Sequence, residues 1–520
     1  MLVSLFNDVI GPVMRGPSSS HCAAALRIGR LARDLMAGDV TGVVVQYDRH
    51  GSLATTHGSQ GSDMGLFGGL LGWDATDERL PRSAQAIREA GIDVRTEVVD
   101  TADNHPNTYR LALNNTRERH TMVALSTGGG MVEVIQIDGV ALSIAGDYWE
   151  TLVRLEGAPE RDLKALARAL HADELLAHDT NGDQLLQIKA QHPVSEGQLA
   201  AELGERCWTR RLAPVLPILS CKGMSVPFTT CAEMLEHNGD RELPLWRLAA
   251  EYEAARGNLS ENEVLARMVD IVRIVRASIE QGIAGTAHGD RVLSYPCGEL
   301  KERMEQGQLL DGGMLNRIVL YVTALMAVKS AMGVIVAAPT AGACAALPGA
   351  CVGAADHLGL GDEAVAKAML AAGIIGVFIA THSTFAAEVC GCQAECGAAS
   401  GMAAAALCIL GGGTSHQGIA AASMALQNSL GMICDPVANR VEVPCLGKNL
   451  MAAGNALSCA NVALAGFDPV IPLDEVIETM DRVGRALPRE LRCTALGGLS
   501  ITRTAKEIER RLGGRRGEWT

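Results

Sequence analysis

Apolar residues recur at helical spacing along most of the second half of the chain. From about Cys221 onward this pattern predicts a series of helices, which Gly and Pro residues separate. We therefore expect an all-α domain over residues 221–515. The predicted helices span residues 245–256, 261–280, 315–331, 362–380, 401–410, 417–430, 449–465 and 473–483.

The first part of the chain mixes helical and alternating patterns, which predicts an α/β domain over residues 1–137. A smaller unit follows at residues 138–217, where strand, helix, strand and helix alternate in a βαβ rhythm. The fold class is therefore α+β and multidomain. The predicted helices are 23–36, 63–71, 160–172 and 196–203, and the predicted strands are 43–47, 94–99, 121–126, 131–137, 152–155 and 185–189.

Composition limits the environment and the partners. The 520 residues suffice for two or three domains, and 3% aromatic residues beside 57 glycines indicate closely packed small-residue helices. The net charge of −14 argues against a nucleic-acid partner. The N-terminus has no charged segment typical of a signal peptide, and the apolar stretches are interrupted or short, so we expect no membrane partner. Fifteen irregularly spaced cysteines indicate reduced thiols and a cytoplasmic protein.

Three segments near residues 337–450 interrupt the helical pattern: APTAGACAALPG, GCQAECGAASGMAAAA and CDPVANRVEVPC. Cys392, Cys434 and Cys445 lie there near Gly or Pro, where a thiolate can point into a cavity. Three soft thiolates suit an iron–sulfur cluster in which one iron lacks a protein ligand. Such an iron is a Lewis acid, which favours chemistry over electron transfer. Spacing alone leaves the alternative that these cysteines are buried packing residues.

These segments resemble the α-subunit of the iron–sulfur L-serine dehydratases. The N-terminal GPVMRGPSSSHC and the later HPNT resemble the β-subunit, in the family's order and over nearly the whole chain. The resemblance implies that Cys392, Cys434 and Cys445 hold a [4Fe-4S] cluster, that pyridoxal phosphate is not used, and that residues 138–217 are ACT-like. It also implies β-elimination of an amino acid such as L-serine to a 2-oxo acid and ammonium, by a homodimer.

Two further motifs supply candidate residues for substrate and proton handling. The Ser-rich loop before the first helix offers hydroxyl and N–H groups to a carboxylate, although a plain helix cap is the alternative. A base should titrate near the working pH, which favours a histidine, so His21 and His105 are the candidate catalytic residues. The candidate substrate-binding residues are Ser18, Ser19, Ser20, Cys22, Gln60, Ser62, Asn107, His288 and Thr340.

The chain departs from the family at three positions of the expected pocket. Cys22 replaces a threonine, Gln60 a histidine, and Ile283 a second histidine, with His288 nearby. Glutamine forms hydrogen bonds but cannot act as a base near neutral pH. These changes leave two alternatives: a relative that acts on another β-substituted amino or hydroxy acid, or an inactive cluster-bearing regulator. The intact cysteines and HPN segment argue against the regulator.

The remaining expectations concern the turn at residues 156–160, the ligand of the open iron and three further cysteines. Residues 156–160 replace the Pro-Gly turn of amino-acid-sensing ACT domains, which favours a structural or dimerising role. Cys493, the last cysteine, lies well upstream of the C-terminal residues 517–520, so we expect no ligand from the C-terminal tail. Water, another small ligand or a pocket side chain should fill the open iron of an oxygen-sensitive cluster. Cys344, Cys390 and Cys396 are predicted to be packing residues, with Cys396 as an alternative ligand.

Overall fold

The computed structural model describes residues 2–157, 161–180, 182–204 and 207–513. The chain forms two compact units. The helical unit comprises the residues up to Ser19 and those from Ser225 onward, and the sheet unit comprises Ser20–Met224. The turn expected at residues 156–160 lies partly, and the C-terminal residues 517–520 lie wholly, outside the described residues.

The N-terminal residues are built into the helical unit. After a π-helical turn at Leu5–Val9, Val13–Arg15 forms strand β1, which pairs antiparallel with Val334–Val336. The carboxylate of buried Glu253 accepts hydrogen bonds from Ser4 Oγ (2.5 Å) and Leu5 N (2.8 Å). The all-α prediction for the second half is therefore wrong in one detail, because the buried run at 334–336 finds a strand partner about 320 residues away in sequence.

The sheet unit contains two sheets. In the first, of six strands, β2 and β3 are parallel and the other pairs are antiparallel, in the order β3-β2-β4-β5-β6-β7. Its elements are α1 (Ala24–Leu35), β2 (Gly42–Asp48), α2 (Leu53–Thr56), α3 (Ser62–Leu70), α4 (Ser83–Glu89), β3 (Asp93–Val99), β4 (Thr108–Asn114), β5 (Arg119–Gly128), β6 (Met131–Ile137) and β7 (Val140–Ile144).

Apolar residues at every second position of the strands pack against the apolar face of α1 and form the core beside this sheet. Val43, Val45 and Tyr47 of β2 are buried together with the apolar face of α1. Helix α3 crosses α1 at glycines, and a Cβ at Gly65 would lie 2.1 Å from the Cys22 carbonyl oxygen. The predicted helices and strands of this region are confirmed; α2, α4, β4 and β7 are additional.

The second sheet has four antiparallel strands in the order β11-β8-β10-β9. Strand, helix, strand, strand, helix and strand follow one another along the chain, which is the split βαβ arrangement. The predicted strands and helices of this region are confirmed, while β9 and β11 are additional. The elements are β8 (Trp149–Leu155), α5 (Leu163–Ala169), β9 (Glu174–Thr180), β10 (Asp183–Ala190), α6 (Glu196–Leu203) and β11 (Trp208–Leu212).

The helical unit packs around α15, most of whose small side chains are fully buried. All eight predicted helices are confirmed within a few residues. The elements are α7 (Cys231–Asn238), α8 (Leu245–Gly257), α9 (Glu261–Ala284), α10 (Cys297–Glu305), α11 (Met314–Ser330), β12 (Val334–Val336), α12 (Ala346–Leu358), α13 (Asp362–His382), α14 (Ala387–Cys390), α15 (Cys396–Leu410), α16 (Ser415–Gln427), α17 (Cys445–Leu464), α18 (Leu473–Ala486) and α19 (Arg503–Gly513).

Two apolar stretches of the helical unit are long enough to cross a membrane. Within the described part of the chain these are Asp362–His382 and Cys392–Leu410, and 78% and 83% of an apolar 18-residue window in each is buried inside the structure. Core helices of folded domains show the same combination of apolar composition and burial.

Candidate active site and metal centre

Cys392 begins a short 3-10 turn just ahead of α15 and is 2% exposed. The buried side chain of Gln393 fixes this turn, because its amide donates to Met480 O (2.8 Å) and accepts from Gly431 N (2.8 Å). Gly391 adopts a φ of +70°, and a Cβ there would lie 2.8 Å from Met432 O. The GCQ sequence therefore holds the Cys392 thiol beside the segment that leads to Cys434.

Cys434 lies after α16 in a loop and is 4% exposed. Its side chain is hydrogen-bonded to Cys392 and also to Cys493. Ala387 and Met432 pack around the three sulfur-bearing side chains. Cys493 thus lies beside a predicted ligand although 59 residues separate the two in sequence, because its segment folds back onto the Cys434 loop.

Cys445 is the first residue of α17 and is 5% exposed. Its helix carries Asn449, whose side chain donates to Gly342 O (2.8 Å) and Cys445 O (2.9 Å). Asn449 Oδ1 also accepts from Ala346 N (3.0 Å). This buried amide joins the APTAG segment to the helix that begins with Cys445, so the three interruptions of the helical pattern do converge.

Glu395 is the acidic residue of the site and was not predicted from the sequence. One of its carboxylate oxygens lies within 4.8 Å of both the Cys392 and the Cys434 sulfur atoms. Thr340 Oγ1 donates to Glu395 Oε1 (2.6 Å), and Ala341 N donates to Ser19 Oγ (3.3 Å). Burial raises the pKa of Glu395 to about 7, against the opposing hydrogen bond from Thr340.

Two lysines supply positive charge near the sulfur atoms. Lys448 Nζ donates to Ile433 O (2.7 Å) and Asp435 Oδ1 (2.8 Å). Burial opposes its charge, but Cys392, Cys434 and Asp435 raise the pKa of Lys448 above its ordinary value. Fully buried Lys329 donates to Val441 O, and its charge acts on Cys445 and Glu395. Both cations favour thiolates over thiols.

The donor set fits an iron–sulfur cluster. Hydrogen bonding to Cys434 and burial raise the pKa of Cys392 well above its usual range, and burial raises the pKa of Cys445 to about 12. Such thiols stay protonated until a cation replaces the protons, and soft sulfur donors select iron–sulfur clusters or similar thiophilic metals. Cys392, Cys434 and Cys445 could hold the cluster, with Glu395 beside them. Cys344, Cys390 and Cys396 are all buried, and Cys396 packs among alanines.

His288 lies in the loop between α9 and α10 of the helical unit. Its Nε2 atom is buried without a hydrogen-bond partner among the described residues, and burial lowers the pKa of His288. The loop is fixed near the Cys445 segment, because Arg440 Nη2 contacts Asp290 (2.6 Å) and Glu442 accepts from Val292 N (3.0 Å). Ser18 and Ser19 also belong to the helical unit, and Ser18 is partly buried.

The other candidates lie in the sheet unit. His21 is fully buried, and its Nε2 atom lies 2.9 Å from Thr56 Oγ1. Burial, with His57 nearby, lowers the pKa of His21 to about 4. Burial likewise raises the pKa of Cys22 to about 12. Buried Gln60 follows Thr56 by one helical turn, and its Nε2 atom has no hydrogen-bond partner among the described residues.

The HPN segment, residues 105–107, packs against the start of α2, the helix that contains Thr56. Ser52 N donates to Pro106 O (2.9 Å), and Ser20 O accepts from Ser126 Oγ (2.6 Å) next to it in the sheet unit. His105 is partly buried, which lowers the pKa of its imidazole, and its Nδ1 accepts from Asn107 N (3.2 Å). Asn107 Oδ1 is buried without a partner among the described residues.

A polar cluster accompanies these residues in the sheet unit. Tyr109 donates to Ser62 Oγ (3.0 Å), and His57 Nδ1 lies 2.8 Å from the Asp63 carboxylate. The Tyr47 hydroxyl is another buried atom without a partner among the described residues.

Comparisons with known proteins agree on one family. The model of the serine dehydratase alpha chain matches residues 240–500. A probable L-serine dehydratase alpha chain from Bacillus subtilis is 33% identical over 287 residues, which cover 55% of this chain and 96% of that protein. The probable beta chain of the same organism is 38% identical over 146 residues, 28% of this chain and 66% of that protein. L-serine dehydratase 1 of Escherichia coli is 26% identical over 515 residues, 96% of this chain and 99% of that protein.

Proposed function

Because this chain belongs to the L-serine dehydratase family, with alpha- and beta-chain regions in one polypeptide, and is a lyase, we propose that it is a [4Fe-4S]-dependent L-serine dehydratase. The reaction is β-elimination of L-serine to a 2-oxo acid and ammonium without pyridoxal phosphate. The observation that carries the proposal is the convergence of the APTAG, GCQ and CDPV segments on the buried sulfurs of Cys392 and Cys434.

Cys392, Cys434 and Cys445 would hold the cluster, which when bound supplies a Lewis acid that polarises the bond to the leaving hydroxyl. The lysines near these cysteines favour the thiolate form that ligation needs. Thr340 orients the Glu395 carboxylate beside the sulfurs. Ser19 is held by a backbone N–H of the APTAG segment, which supports a role for the serine loop in seating the substrate.

Unpartnered buried atoms support the assignment of the polar substrate contacts. Leaving a buried donor or acceptor without a partner costs about 1–3 kcal/mol, so such atoms are uncommon in folded proteins. Gln60 Nε2, Asn107 Oδ1 and His288 Nε2 are three of them, and each was predicted from sequence as a substrate contact. An amino acid supplies both the carboxylate and the ammonium group that such atoms bind.

Hydrogen bonds divide the proton-handling roles between the two candidate histidines. Thr56 Oγ1 donates to Ser52 O (2.7 Å), so it accepts from His21 Nε2, and the neutral ring keeps its lone pair on Nδ1. His105 Nδ1 accepts from Asn107 N, so its proton lies on Nε2. Both histidines remain candidates for taking up the α-proton, and His105 Nε2–H can donate a proton to the leaving hydroxyl.

The test uses protein reconstituted with iron and sulfide without oxygen. L-serine should give stoichiometric 2-oxo acid and ammonium, and Cys434→Ala should abolish both. Cys408→Ala is the matched control, because Cys408 is another buried cysteine of the helical unit, within α15. A cluster-loaded protein that turns over neither L-serine nor any other β-hydroxy amino acid would overturn the proposed function.

A second candidate is elimination from another β-substituted amino acid. Gln60, which replaces the expected histidine, is the observation that favours it, because its buried amide is a hydrogen-bond donor that cannot take up a proton. Activity with β-thio amino acids but not with L-serine would support this candidate. Turnover of either substrate would dismiss an inactive regulator.

The cytoplasmic location and the homodimer remain part of the proposal. So does the ACT-like, structural role of residues 138–217. Light scattering of the purified protein measures the oligomeric state directly, and a monomer at working concentrations would contradict the dimer.

A further inference from the structure

His57 and Asp63 form a hydrogen-bonded pair in the sheet unit. His57 ends α2, and its Nδ1 atom lies 2.8 Å from the Asp63 carboxylate in the first turn of α3. The backbone supports this contact, because Gly61 adopts a φ of +91° and Ser62 N donates to His57 O (2.8 Å). The turn that joins the two helices therefore holds the imidazole and the carboxylate together.

The carboxylate determines which nitrogen of His57 carries the proton. An ionised carboxylate only accepts hydrogen bonds, so Nδ1 donates to Asp63 and the neutral ring keeps its lone pair on Nε2. That Nε2 atom has no hydrogen-bond partner among the residues that the structure describes. The side chain is 26% exposed, so a small molecule can reach the lone pair. A base that a carboxylate orients in this way is the arrangement of the hydrolytic triads.

The pair belongs to the polar cluster of the sheet unit described above. The His57 ring packs on Tyr47 with 5.1 Å between the ring centroids, and Tyr47 lies edge-on to Tyr109 (5.5 Å). His21 lies near enough for the charge of His57 to act on it. The position of the His57 ring is therefore fixed by stacking on one side and by the Asp63 carboxylate at its edge.

The neighbouring candidates are less suited to remove a proton. His21 is fully buried, and the pKa of about 4 that burial gives it makes it a weak base. His105 accepts from Asn107 N on Nδ1, so its neutral ring presents an N–H on Nε2. Gln60, on the turn between His57 and α3, replaces a histidine of the family, and its amide cannot take up a proton. Of these side chains, His57 combines a fixed ring with an accessible lone pair.

We propose that His57 takes up the α-proton of the substrate and so supplies the imidazole that Gln60 lacks. The Cα–H bond breaks, its proton moves to Nε2, and its electron pair forms the Cα=Cβ bond. The Cβ–O bond breaks with its electron pair on oxygen, and the leaving hydroxyl takes a proton from His105 to become water. Asp63 stabilises the imidazolium that His57 becomes. The inference rests on the proposed function for the reaction, and it holds for any β-substituted amino acid that loses its α-proton.

The test uses cluster-loaded protein and begins with His57→Gln. Loss of a general base should lower kcat for L-serine by about 10²–10⁴-fold, with little change in KM or in cluster content. Adding Gln60→His to that variant should restore kcat at least about tenfold, because it returns an imidazole to the same turn. His178→Gln is the matched control, since His178 is a part-buried histidine of β9 that lies 3.1 Å from Gln187 in the same unit.

Two further measurements separate proton transfer from a structural role. L-serine deuterated at Cα should show a larger isotope effect on kcat in His57→Gln than in wild type, because removal of the α-proton becomes slower than every other step. Nitrogen-15 NMR of histidine-labelled protein should place the His57 proton on Nδ1. Asp63→Asn should abolish that preference and lower kcat, since an amide can donate to the ring as well as accept from it. Circular dichroism of each variant checks its folding.

The outcomes distinguish this inference from the proposed function. Turnover of L-serine by wild type and by His57→Gln at similar rates would overturn the inference and leave the dehydratase. A loss of kcat that Gln60→His does not reverse, with an isotope effect equal to that of wild type, would show a structural pair and overturn it as well. No turnover of any β-substituted amino acid by cluster-loaded wild type would overturn both.

Discussion

The pKa values of single residues at the candidate site depend on burial more than on residue type. Glu395 and His21 have ordinary side chains, yet burial raises the pKa of the first to about 7 and lowers that of the second to about 4. Each is held by a threonine hydroxyl, Thr340 or Thr56. The hydroxyl groups therefore determine where the protons lie.

Thr340→Val tests that dependence at Glu395. The variant loses the bond to the carboxylate and the one that Ala343 N donates to Thr340 Oγ1 (3.2 Å), so we expect the free energy of unfolding to fall by about 1–3 kcal/mol. Urea-induced unfolding of the metal-free protein measures it. Thr323→Val is the control, because among the described residues that hydroxyl bonds the Val319 carbonyl of its own helix. An equal loss in both variants would contradict the prediction.

Glu253 should make stability depend on pH. Burial raises its pKa from 4.5 to about 7, so the folded state binds a proton that the unfolded state has lost between these values. The free energy of unfolding should therefore fall as pH rises from about 4.5 through 7, by about 3 kcal/mol for this group. Glu253→Gln should remove that slope in urea titrations at pH 5 and pH 8. A slope that survives unchanged would refute the assignment.

At the scale of elements, glycines decide how closely helices approach. Helix α3 lies with Gly65 almost on the backbone of the Ser20–Cys22 segment, so its packing fixes the loop that carries His21. The sequence predicted a Gly-rich helix here, but not what the glycines touch. Only the structure shows that the absence of a side chain, rather than flexibility, is what the position requires.

Gly65→Ala should destabilise the sheet unit by about 3 kcal/mol, because the new methyl group would lie 2.1 Å from a carbonyl oxygen. Gly197→Ala in α6 is the matched control, since a Cβ there meets nothing within 4 Å and should stabilise its helix by about 0.5–1 kcal/mol. Thermal unfolding of both variants measures the difference. Similar melting temperatures for the two variants would show that the crossing is not close-packed.

Periodicity predicted the long elements because their burial follows one repeating spacing. Strand Met131–Ile137 and helix Glu196–Leu203 have the predicted ends. Strand β4, in which Tyr109, Leu111 and Leu113 alternate inward, was not predicted from the sequence. Pairings across hundreds of residues, such as β1 with β12, leave no local pattern.

The same limit applies to the candidate site. The motifs predicted Cys392, Cys434 and Cys445 as ligands, and nearby Gly, Pro and Gln residues set the surroundings of these cysteines. Glu395 was missed although it lies three residues from Cys392, since one carboxylate in a helical pattern has no distinctive spacing. Cys493 reaches the site through backbone bonds to Cys434, and backbone bonds carry no sequence signal.

At the scale of the whole molecule, the predicted ligands all lie in the helical unit. Cluster binding should therefore slow amide hydrogen exchange in residues 387–396, 431–449 and 489–500, because ligation ties these segments together. Exchange in the four-stranded sheet should not change. Mass spectrometry of the metal-free and reconstituted protein measures both, and protection confined to the four-stranded sheet would contradict the ligand assignment.

The pairing of β1 with β12 also has a consequence for biosynthesis. Val13–Arg15 leaves the ribosome long before Val334–Val336 has been translated. With about 320 residues between the partners, and synthesis at roughly 5–20 residues per second, the first strand waits about 15–60 s. During that time Leu5, Val9 and Met14, which are fully buried in the finished protein, remain uncovered. These apolar side chains therefore stay exposed to water until the second half of the chain has been synthesised.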